Sequence, residues 1–439
     1  MEGAILESAV RALSKYPLCD RCLGRLYARL GRGWSNKSRG DAVKRVLVME
    51  LHWRAREGDS SASRLLQSLS PNIGWQALEA ARQLSPGIQV EVRECYICRG
   101  LLDDAISRAA YLGAELLRAY DISKFVVGVR LGSDVRDREE EVKSYAGTAY
   151  SESIKAEIRR EVGKAIASQG VAAPDFDEPE ATILVSFPGG DVEIQVNSLL
   201  YRARYWKLGR NISQAYWPTP EGPRYFSVEQ ALWPILSLTG GERVVIHAAG
   251  REDVDARMLG SGRPMIVEVK TPRRRRIPLG ELERAANSGG RGLVSFRFEA
   301  PARRAEVELY KEETARVRKS YRAVVAVEGG ASVDDASLIK NSIEGRTIIQ
   351  RTPSRVLHRR PDIVRRRKVF RVECSPDAGG LLLECLVEAE GGLYVKELVS
   401  GDSGRTTPSF SEVLGRSAVC VELDVLWVEH ESLENIKAK

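Results

Sequence analysis

The chain has 439 residues, 43% hydrophobic and 29% charged, which is enough for about two to four domains with ordinary apolar cores. No apolar run approaches the roughly 20 residues that cross a bilayer, and the opening Met1-Glu2-Gly3-Ala4-Ile5-Leu6-Glu7 is an acid-bearing amphipathic pattern, not a basic signal peptide; a cytoplasmic protein with no membrane partner is expected. The net charge of +7 is modest for the whole chain, but the excess is clustered, which suits a polyanion, and the four histidines (His52, His247, His358 and His430) are too few to assemble a histidine-rich metal site or triad easily, so an enzyme would work through carboxylates.

Residues 1 to about 120 read as mostly helical. Glu2–Tyr16, Asp41–Arg56 and Leu101–Tyr120 place apolar residues at three- and four-residue intervals. Two cysteine pairs interrupt this pattern, Cys19-Asp-Arg-Cys22 and Cys95-Tyr-Ile-Cys98. Two intervening residues let both thiolates of a pair reach one ion, and four thiolates make a closed tetrahedral zinc site. Gly24 and Gly100 follow the pairs as tight metal knuckles require. Residues 23 to 94 separate the pairs, so the ion would clasp two remote parts of one domain. A redox pair is the rival reading, but no βαβ pattern surrounds either motif.

From Lys124 the pattern changes. Phe125–Arg130 reads as a strand, Ser151–Ser168 as a helix capped by Ser151, and Thr182–Phe187 and Asp191–Val196 as strands joined across Pro188-Gly189-Gly190. This is a compact α+β unit, with Asp134–Glu141 as an acidic loop lying away from any phosphate. Arg202–Arg210 interleaves aromatic and basic side chains. Such mixing suits base stacking and phosphate contact on RNA, or an aromatic hinge between domains. The proline- and glycine-rich Pro218–Pro223 is taken as the boundary, dividing the chain into 1–217 and 218–439.

Beyond the boundary strands outnumber helices. Val244–Ala248, Met265–Val269, Leu293–Glu299, Tyr321–Val327, Arg346–Gln350, Lys368–Cys374, Leu381–Glu390 and Val419–Val428 read as strands, with helices at Ser227–Leu238 and Asp334–Glu344. The expected class is α+β, with a large mixed, mainly antiparallel sheet and flanking helices. Cys374, Cys385 and Cys420 fall in apolar strands and read as buried thiols. The clusters Arg273–Arg276 and Arg359–Lys368, the latter with six basic residues and one acid, suit phosphate backbones.

After Val244–Ala248 comes Gly250–Pro264, read as a loop holding three acids (Glu252, Asp253, Asp255), three arginines (Arg251, Arg257, Arg263) and three glycines. Glycines permit sharp turns or close approach to a ligand, and a carboxylate among guanidinium groups stays charged and oriented. Such a segment can display an acid as a nucleophile; the plain alternative is a solvated salt-bridge loop.

Taken together, these blocks resemble the tRNA pseudouridine synthases of archaea and eukaryotes that join a zinc-binding, THUMP-containing N-terminal half to a catalytic half. The matched cysteines and the strand–helix–strand segment look like the first half. Gly250-Arg251-Glu252-Asp253 looks like the Gly-Arg-x-Asp motif, Lys319-Ser320-Tyr321-Arg322-Ala323 like a second motif that places a tyrosine, and Gln350–Arg360 matches a further block. Leu393-Tyr394-Val395-Lys396-Glu397-Leu398, with Gly404–Ser409 after it, looks like a third motif. The resemblance implies a pseudouridine-synthase-type sheet, an isomerase in tRNA processing, and uridines 54 and 55 of the TΨC loop as targets. It makes Asp253 the catalytic aspartate in preference to Asp255. Tyr321, Tyr394, Arg251 and Lys396 become substrate-binding residues, with Lys396 or a loop arginine pairing with Asp253. Cys19, Cys22, Cys95 and Cys98 hold structural zinc, and no organic cofactor and no obligate protein partner are expected. Residues 1–217 form the RNA-binding half, a zinc-bearing helical part to about 120 and an α+β part over about 121–217. The alternatives are a non-catalytic zinc-containing tRNA-binding protein, or a THUMP-type RNA methyltransferase. The latter needs a glycine-rich cofactor loop after a strand, and only Ala248-Ala249-Gly250 comes close.

Overall fold

A computed structural model describes residues 4–313 and 317–429; Glu2 and Gly3 of the expected first helix, and His430, lie outside the described residues. The chain divides into two compact units, Met1–Asn197 and Ser198–Lys439. Among the described residues, no helix is long and apolar enough to cross a membrane.

The first unit opens with helices α1 (Ala4–Lys15), α2 (Asp20–Arg25), α3 (Asn36–Arg56), α4 (Ser60–Ile73), α5 (Trp75–Leu84) and α6 (Leu102–Ala119). Short polar side chains start two of them: Ser35 accepts from the Ser38 amide at the head of α3, and Asp59 from the Ser61 and Ala62 amides at the head of α4. α1 buries Ala9, Ala12 and Leu13 at the spacing that its apolar pattern dictates. α2 and α3 meet backbone to backbone. A Cβ on Gly24 would stand 1.9 Å from the Asn36 carbonyl oxygen, and one on Gly40 1.8 Å from that of Asp20. Gly24 is thus required by helix packing and not by a metal knuckle, whereas Gly100 does turn with positive φ (77°) beyond its cysteine pair.

There follow β1 (Lys124–Leu131), α7 (Ser133–Ala146), α8 (Ile154–Ser168), β2 (Ala173–Pro174), β3 (Ala181–Phe187) and β4 (Val192–Val196), forming a four-stranded sheet in the order β2-β1-β3-β4. β1 runs parallel to β3, and β3 and β4 form an antiparallel hairpin. β3 buries Ala181, Ile183, Val185 and Phe187 in strict alternation. Two expectations are corrected here. Ser153, not Ser151, caps α8, accepting from the Ala156 amide. Asp134–Glu141 is helical, within α7, and its Glu139 is buried against Arg25 at 3.0 Å.

The second unit begins with β5 (Leu199–Lys207), followed by a small hairpin of β6 (Pro218–Thr219) and β7 (Gly222–Pro223) where the domain boundary was expected. The division falls after Asn197 because β5 is an inner strand between β9 and β10. α9 (Val228–Ala231) and α10 (Pro234–Thr239) replace the single helix expected at Ser227–Leu238. Pro234 has no amide hydrogen to continue the first helix and opens the second. Then come β8 (Arg243–Ala248), β9 (Arg257–Lys270), α11 (Leu279–Gly290), β10 (Val294–Pro301), α12 (Arg304–Glu313), β11 (Arg318–Val327), α13 (Val333–Ile343) and β12 (Thr347–Arg351). A 3₁₀ turn (Ser354–Arg359) leads into β13 (Val364–Pro376), β14 (Leu382–Glu390), α14 (Val395–Ser400), β15 (Thr406–Thr407), α15 (Phe410–Leu414) and β16 (Ala418–Val428).

Ten of these strands form one sheet, ordered β10-β5-β9-β16-β11-β14-β13-β12-β15 with β8 paired to β9. Every pairing is antiparallel except the short β9–β16 contact, Asp424 beside Arg257. The main apolar core of the unit runs from Tyr205 and Met265 through Val325 to Val387 and Leu398, and Leu200, Ala249, Ile266, Val307 and Tyr310 form a smaller separate cluster. Cys374 and Cys385 stand opposite each other in the β13–β14 register and form a disulfide, so they are not the free thiols expected; Cys420 is free.

Candidate active site

The loop between β8 and β9 is shorter than the sequence suggests. β9 already begins at Arg257, so Gly260, Gly262 and Arg263 are strand residues. Both glycines relieve crowding within the sheet: a Cβ would lie 1.9 Å from the Leu426 carbonyl oxygen at Gly260 and 2.7 Å from the Trp206 ring at Gly262. The loop proper is fixed from beneath. Lys207, fully buried at the end of β5, donates to the carbonyl oxygens of Ile212 (3.0 Å), Asp253 (2.8 Å) and Val254 (3.2 Å). Glu252 is buried as well, accepting from Arg263 Nε at 2.8 Å and from the Tyr205 hydroxyl at 2.9 Å, with the Lys207 ammonium at 3.6 Å. Burial opposes its charge, but Arg263 and Lys207 outweigh that and hold its carboxyl below the ordinary value.

With Glu252 anchored inward, Asp253 is left with a third of its side chain exposed, in the wall of a cavity of about 850 Å³. Arg355, from the 3₁₀ turn, grips it with two parallel bonds, Nη1 to Oδ1 at 3.1 Å and Nη2 to Oδ2 at 2.9 Å. Arg355 is itself oriented by Glu397 of α14, which accepts from its Nε at 2.6 Å. Lys396, also on α14, stands 3.9 Å from Asp253 but 2.5 Å from Asp255. Burial works against the Asp255 charge, yet Lys396 keeps that carboxyl below its usual value. The closest cation to Asp253 is therefore neither Lys396 nor a loop arginine. Arg263 belongs to Glu252 and Arg257 to Asp424, while Arg251 lies exposed at the cavity edge with no polar partner among the described residues.

Both predicted tyrosines line the same cavity. Tyr321, on β11, is 8% exposed, and burial, aided by the Asp253 charge, drives its phenol up to about 12. Tyr394 caps α14 from a loop position fixed by Gln350, whose amide nitrogen donates to its carbonyl oxygen and whose amide oxygen accepts from its backbone N–H, both at 2.9 Å. Its hydroxyl accepts from Arg360 at 2.8 Å, and the Arg365 guanidinium sits 5.5 Å from its ring centroid. Across the mouth, Arg224 lies over the rings of Trp217 (5.1 Å) and Tyr225 (5.6 Å). The site thus combines a clamped carboxylate, aromatic walls and an arginine rim, an arrangement fitted to a planar base carried on a phosphate backbone.

Sequence reasoning missed Arg355 as the partner of Asp253 and missed Lys319 as a wall residue. Both stand in blocks quoted for the resemblance, but no spacing rule brings residues 253 and 355 together. The basic clusters separate. Arg360 and Arg365 reach the cavity, whereas Arg273–Arg276 lies in the loop after β9 and none of its four residues lines the cavity. In Arg202–Arg210, Tyr205 and Lys207 are buried, and Arg202, Arg204 and Arg210 are paired with Glu306, Glu299, and Glu422 with Asp424.

In the first unit, Cys19, Cys22, Cys95 and Cys98 bring their sulfurs within 4.8 Å of one another, with Cys19 and Cys98 Sγ at 3.6 Å. Zinc–thiolate bonds of about 2.3 Å in a tetrahedron set sulfurs about 3.8 Å apart, so the four fit a metal ion of that size. Arg25 adds a donor to Cys22 Sγ at 3.4 Å.

The family described as Pus10, C-terminal, matches residues 201–429, and the Pus10 THUMP domain, archaeal, matches residues 111–186. The tRNA pseudouridine synthase Pus10 of Aeropyrum pernix is 70% identical over 432 residues, covering 98% of this chain and 99% of that protein. Those of Ignisphaera aggregans (42% identical, 98% of this chain and 99% of that protein) and Pyrococcus furiosus (34%, 97% and 98%) align over the same extent. The match over residues 201–429 and the full-length relatives agree, and the chain belongs to the Pus10 family.

Proposed function

We propose that this protein is a tRNA pseudouridine synthase, an isomerase that breaks the N-glycosidic bond of a uridine, turns the uracil and rejoins it to the ribose through C5. The observation that carries this reading is Asp253, clamped by Arg355 in an aromatic-walled, arginine-rimmed cavity. A uridine inside folded RNA must be everted at a cost of a few kcal/mol. Arg224, Arg251, Arg360 and Arg365 offset that cost by meeting the flanking phosphates. Tyr321 and Tyr394 then sandwich or edge the base. Asp253 acts as the nucleophile. Arg355 fixes the direction of its oxygens, and Lys396, shared with Asp255, adds positive charge on the same side. The product is an isomer of the substrate: C5 gives up its proton to solvent as the new carbon–carbon bond forms, N1 takes one up, and no electrons are exchanged, so the chemistry calls for no organic cofactor.

The targets are uridines 54 and 55 of the TΨC loop, as the resemblance implies, and the first unit grips the tRNA. Its four cysteines hold a structural zinc whose role is to clasp α2 to the segment ahead of α6. The test is an unmodified tRNA transcript carrying tritium at uridine C5. The protein should release tritium and leave pseudouridine at the two positions. Asp253→Asn should bind the transcript with an unchanged Kd and lose about 10³-fold or more in rate. A variant that still turned over at the wild-type rate would mean that the cavity is not the reaction site, and would favour a tRNA-binding role for the surface.

A further inference from the structure

Among the described residues, the cavity wall contains one buried cation with no partner. Lys319 is 6% exposed and precedes Tyr321 by one strand period on β11, so both side chains leave the sheet on the same face and both line the cavity. Its neighbours in register, Ala389 on β14 and Val428 on β16, carry no charge. The charged groups that face it are Arg263 from β9 and Glu252 from the loop, with the Tyr321 phenol on its own strand. Glu252 is already committed to Arg263, Lys207 and Tyr205. Among the described residues the Lys319 amine makes no hydrogen bond and no ion pair. The contrast with Lys207 is direct, since that lysine, also buried, meets three carbonyl oxygens and a carboxylate.

Burying an unpaired amine costs desolvation that nothing in the chain returns. Burial first and Arg263 second, against the pull of Glu252, bring the Lys319 amine down to about 7. A methionine would fill the same space at no such cost. The amine is open only to the cavity, so the acceptor that pairs with it is one the cavity admits, and a carbonyl oxygen of a bound ligand is such an acceptor. The rim arginines Arg224, Arg251 and Arg360 are exposed and suited to phosphates, whereas Lys319 lies inside, beside the ring that would stack the base.

We propose that Lys319 is a catalytic residue whose amine donates a hydrogen bond to a carbonyl oxygen of the everted uracil, a proposal that rests on reading this cavity as the uridine site. When the glycosidic bond breaks, its electron pair goes to N1 of the uracil and is delocalised onto the carbonyl oxygens. A donor placed there in advance binds the departing base more strongly than the intact nucleoside. Lys319 thereby stabilises the leaving uracil while Asp253 acts at the other partner of the broken bond.

The experiment compares wild type, Lys319→Met and Asp253→Asn in single-turnover tritium release from tRNA, with Kd measured alongside. Lys319→Met should bind tRNA as wild type does and lose about 10²-fold in rate, the usual effect of removing one preorganised donor. The wild-type kcat/KM should fall as pH rises through about 7 and the charged donor is lost; the Met variant should lack that decline. Transcripts with 2-thiouridine or 4-thiouridine at the target, sulfur being the poorer acceptor, should slow wild type at one of the two positions and slow the Met variant no further. A Met variant as fast as wild type, or penalties of variant and sulfur that add, overturns the assignment. If that variant does not fold, the sulfur series on wild type decides, and an unchanged rate at both positions overturns it. Tritium release by Asp253→Asn at the wild-type rate would instead refute the uridine-site reading itself.

Discussion

Glu252 and Asp253 are consecutive carboxylates with opposite environments, and the difference comes from their cations. Glu252 meets Arg263 and Lys207 in the interior, while Asp253 meets Arg355 at the cavity. Arg355 holds both Asp253 oxygens at once, a geometry that a lysine cannot reproduce. Arg355→Lys should keep the charge, lose the two-point grip and slow turnover by about 10- to 10²-fold with little change in tRNA Kd; single-turnover rates on a labelled transcript measure it. An equal loss of binding and rate would assign Arg355 to the phosphates instead. Lys319 makes a second prediction at this scale. Its folded-state pKa, about 7, lies below the unfolded value of 10.5. Between those values the unfolded chain binds the extra proton, so stability should rise with pH across that window and be lowest below it. Denaturant titrations at pH 6 to 10 should show that slope in wild type and a flatter profile in Lys319→Met. An identical slope in both would mean that the amine is solvated in the folded protein.

β5 shows what a strand pattern conceals. Read as sequence, Arg202–Arg210 is a basic and aromatic ribbon; folded, it buries Tyr201, Ala203, Tyr205 and Lys207 on one face and pairs its arginines on the other. Local composition cannot reveal this, because the partners Glu299, Glu306 and Asp424 lie about a hundred or more residues away. The strands with apolar alternation, such as β3, β11 and β14, were legible for the opposite reason: period two is written in the residues themselves. The Asp253 motif was legible too, through the resemblance, but its clamp was not, because Arg355 arrives through tertiary packing. Lys207 is the hinge of this element. Lys207→Met removes the donor to three loop carbonyl oxygens and half of the charge balance of buried Glu252. It should cost about 3–5 kcal/mol, the range for breaking a buried pair, read as a large drop in thermal midpoint. Lys207→Met still leaves Glu252 paired with Arg263, whereas Lys207→Met/Glu252→Gln leaves buried Arg263 without a carboxylate and should be less stable again. A double variant more stable than Lys207→Met would mean that Arg263 does not depend on Glu252.

At the scale of the whole molecule, each unit closes its own apolar core, one built on Leu13, Leu47, Phe125 and Ile183, the other on Tyr205, Met265, Val325 and Leu398. The cysteine cluster belongs wholly to the first. Its influence there extends beyond the four sulfurs, because buried Arg25 donates to Cys22 Sγ (3.4 Å) and also to Glu139 of α7 (3.0 Å) and Glu157 of α8 (2.9 Å). A metal-bound set of four thiolates carries net negative charge, and Arg25 distributes its own positive charge between that set and two carboxylates. If the four cysteines hold an ion, as proposed, its loss should loosen α2, α7 and α8 together. Metal binding at such sites is folding free energy, about 10–16 kcal/mol in small zinc peptides. Purified protein should carry about one zinc per chain, and Cys19→Ala should abolish it. In calorimetry that variant, or wild type treated with a strong chelator, should lose the transition of the first unit to lower temperature while that of Ser198–Lys439 keeps its midpoint. A single transition that shifts as a whole would show that the two cores melt as one, and full stability without metal would show that the four sulfurs are held by packing and not by an ion.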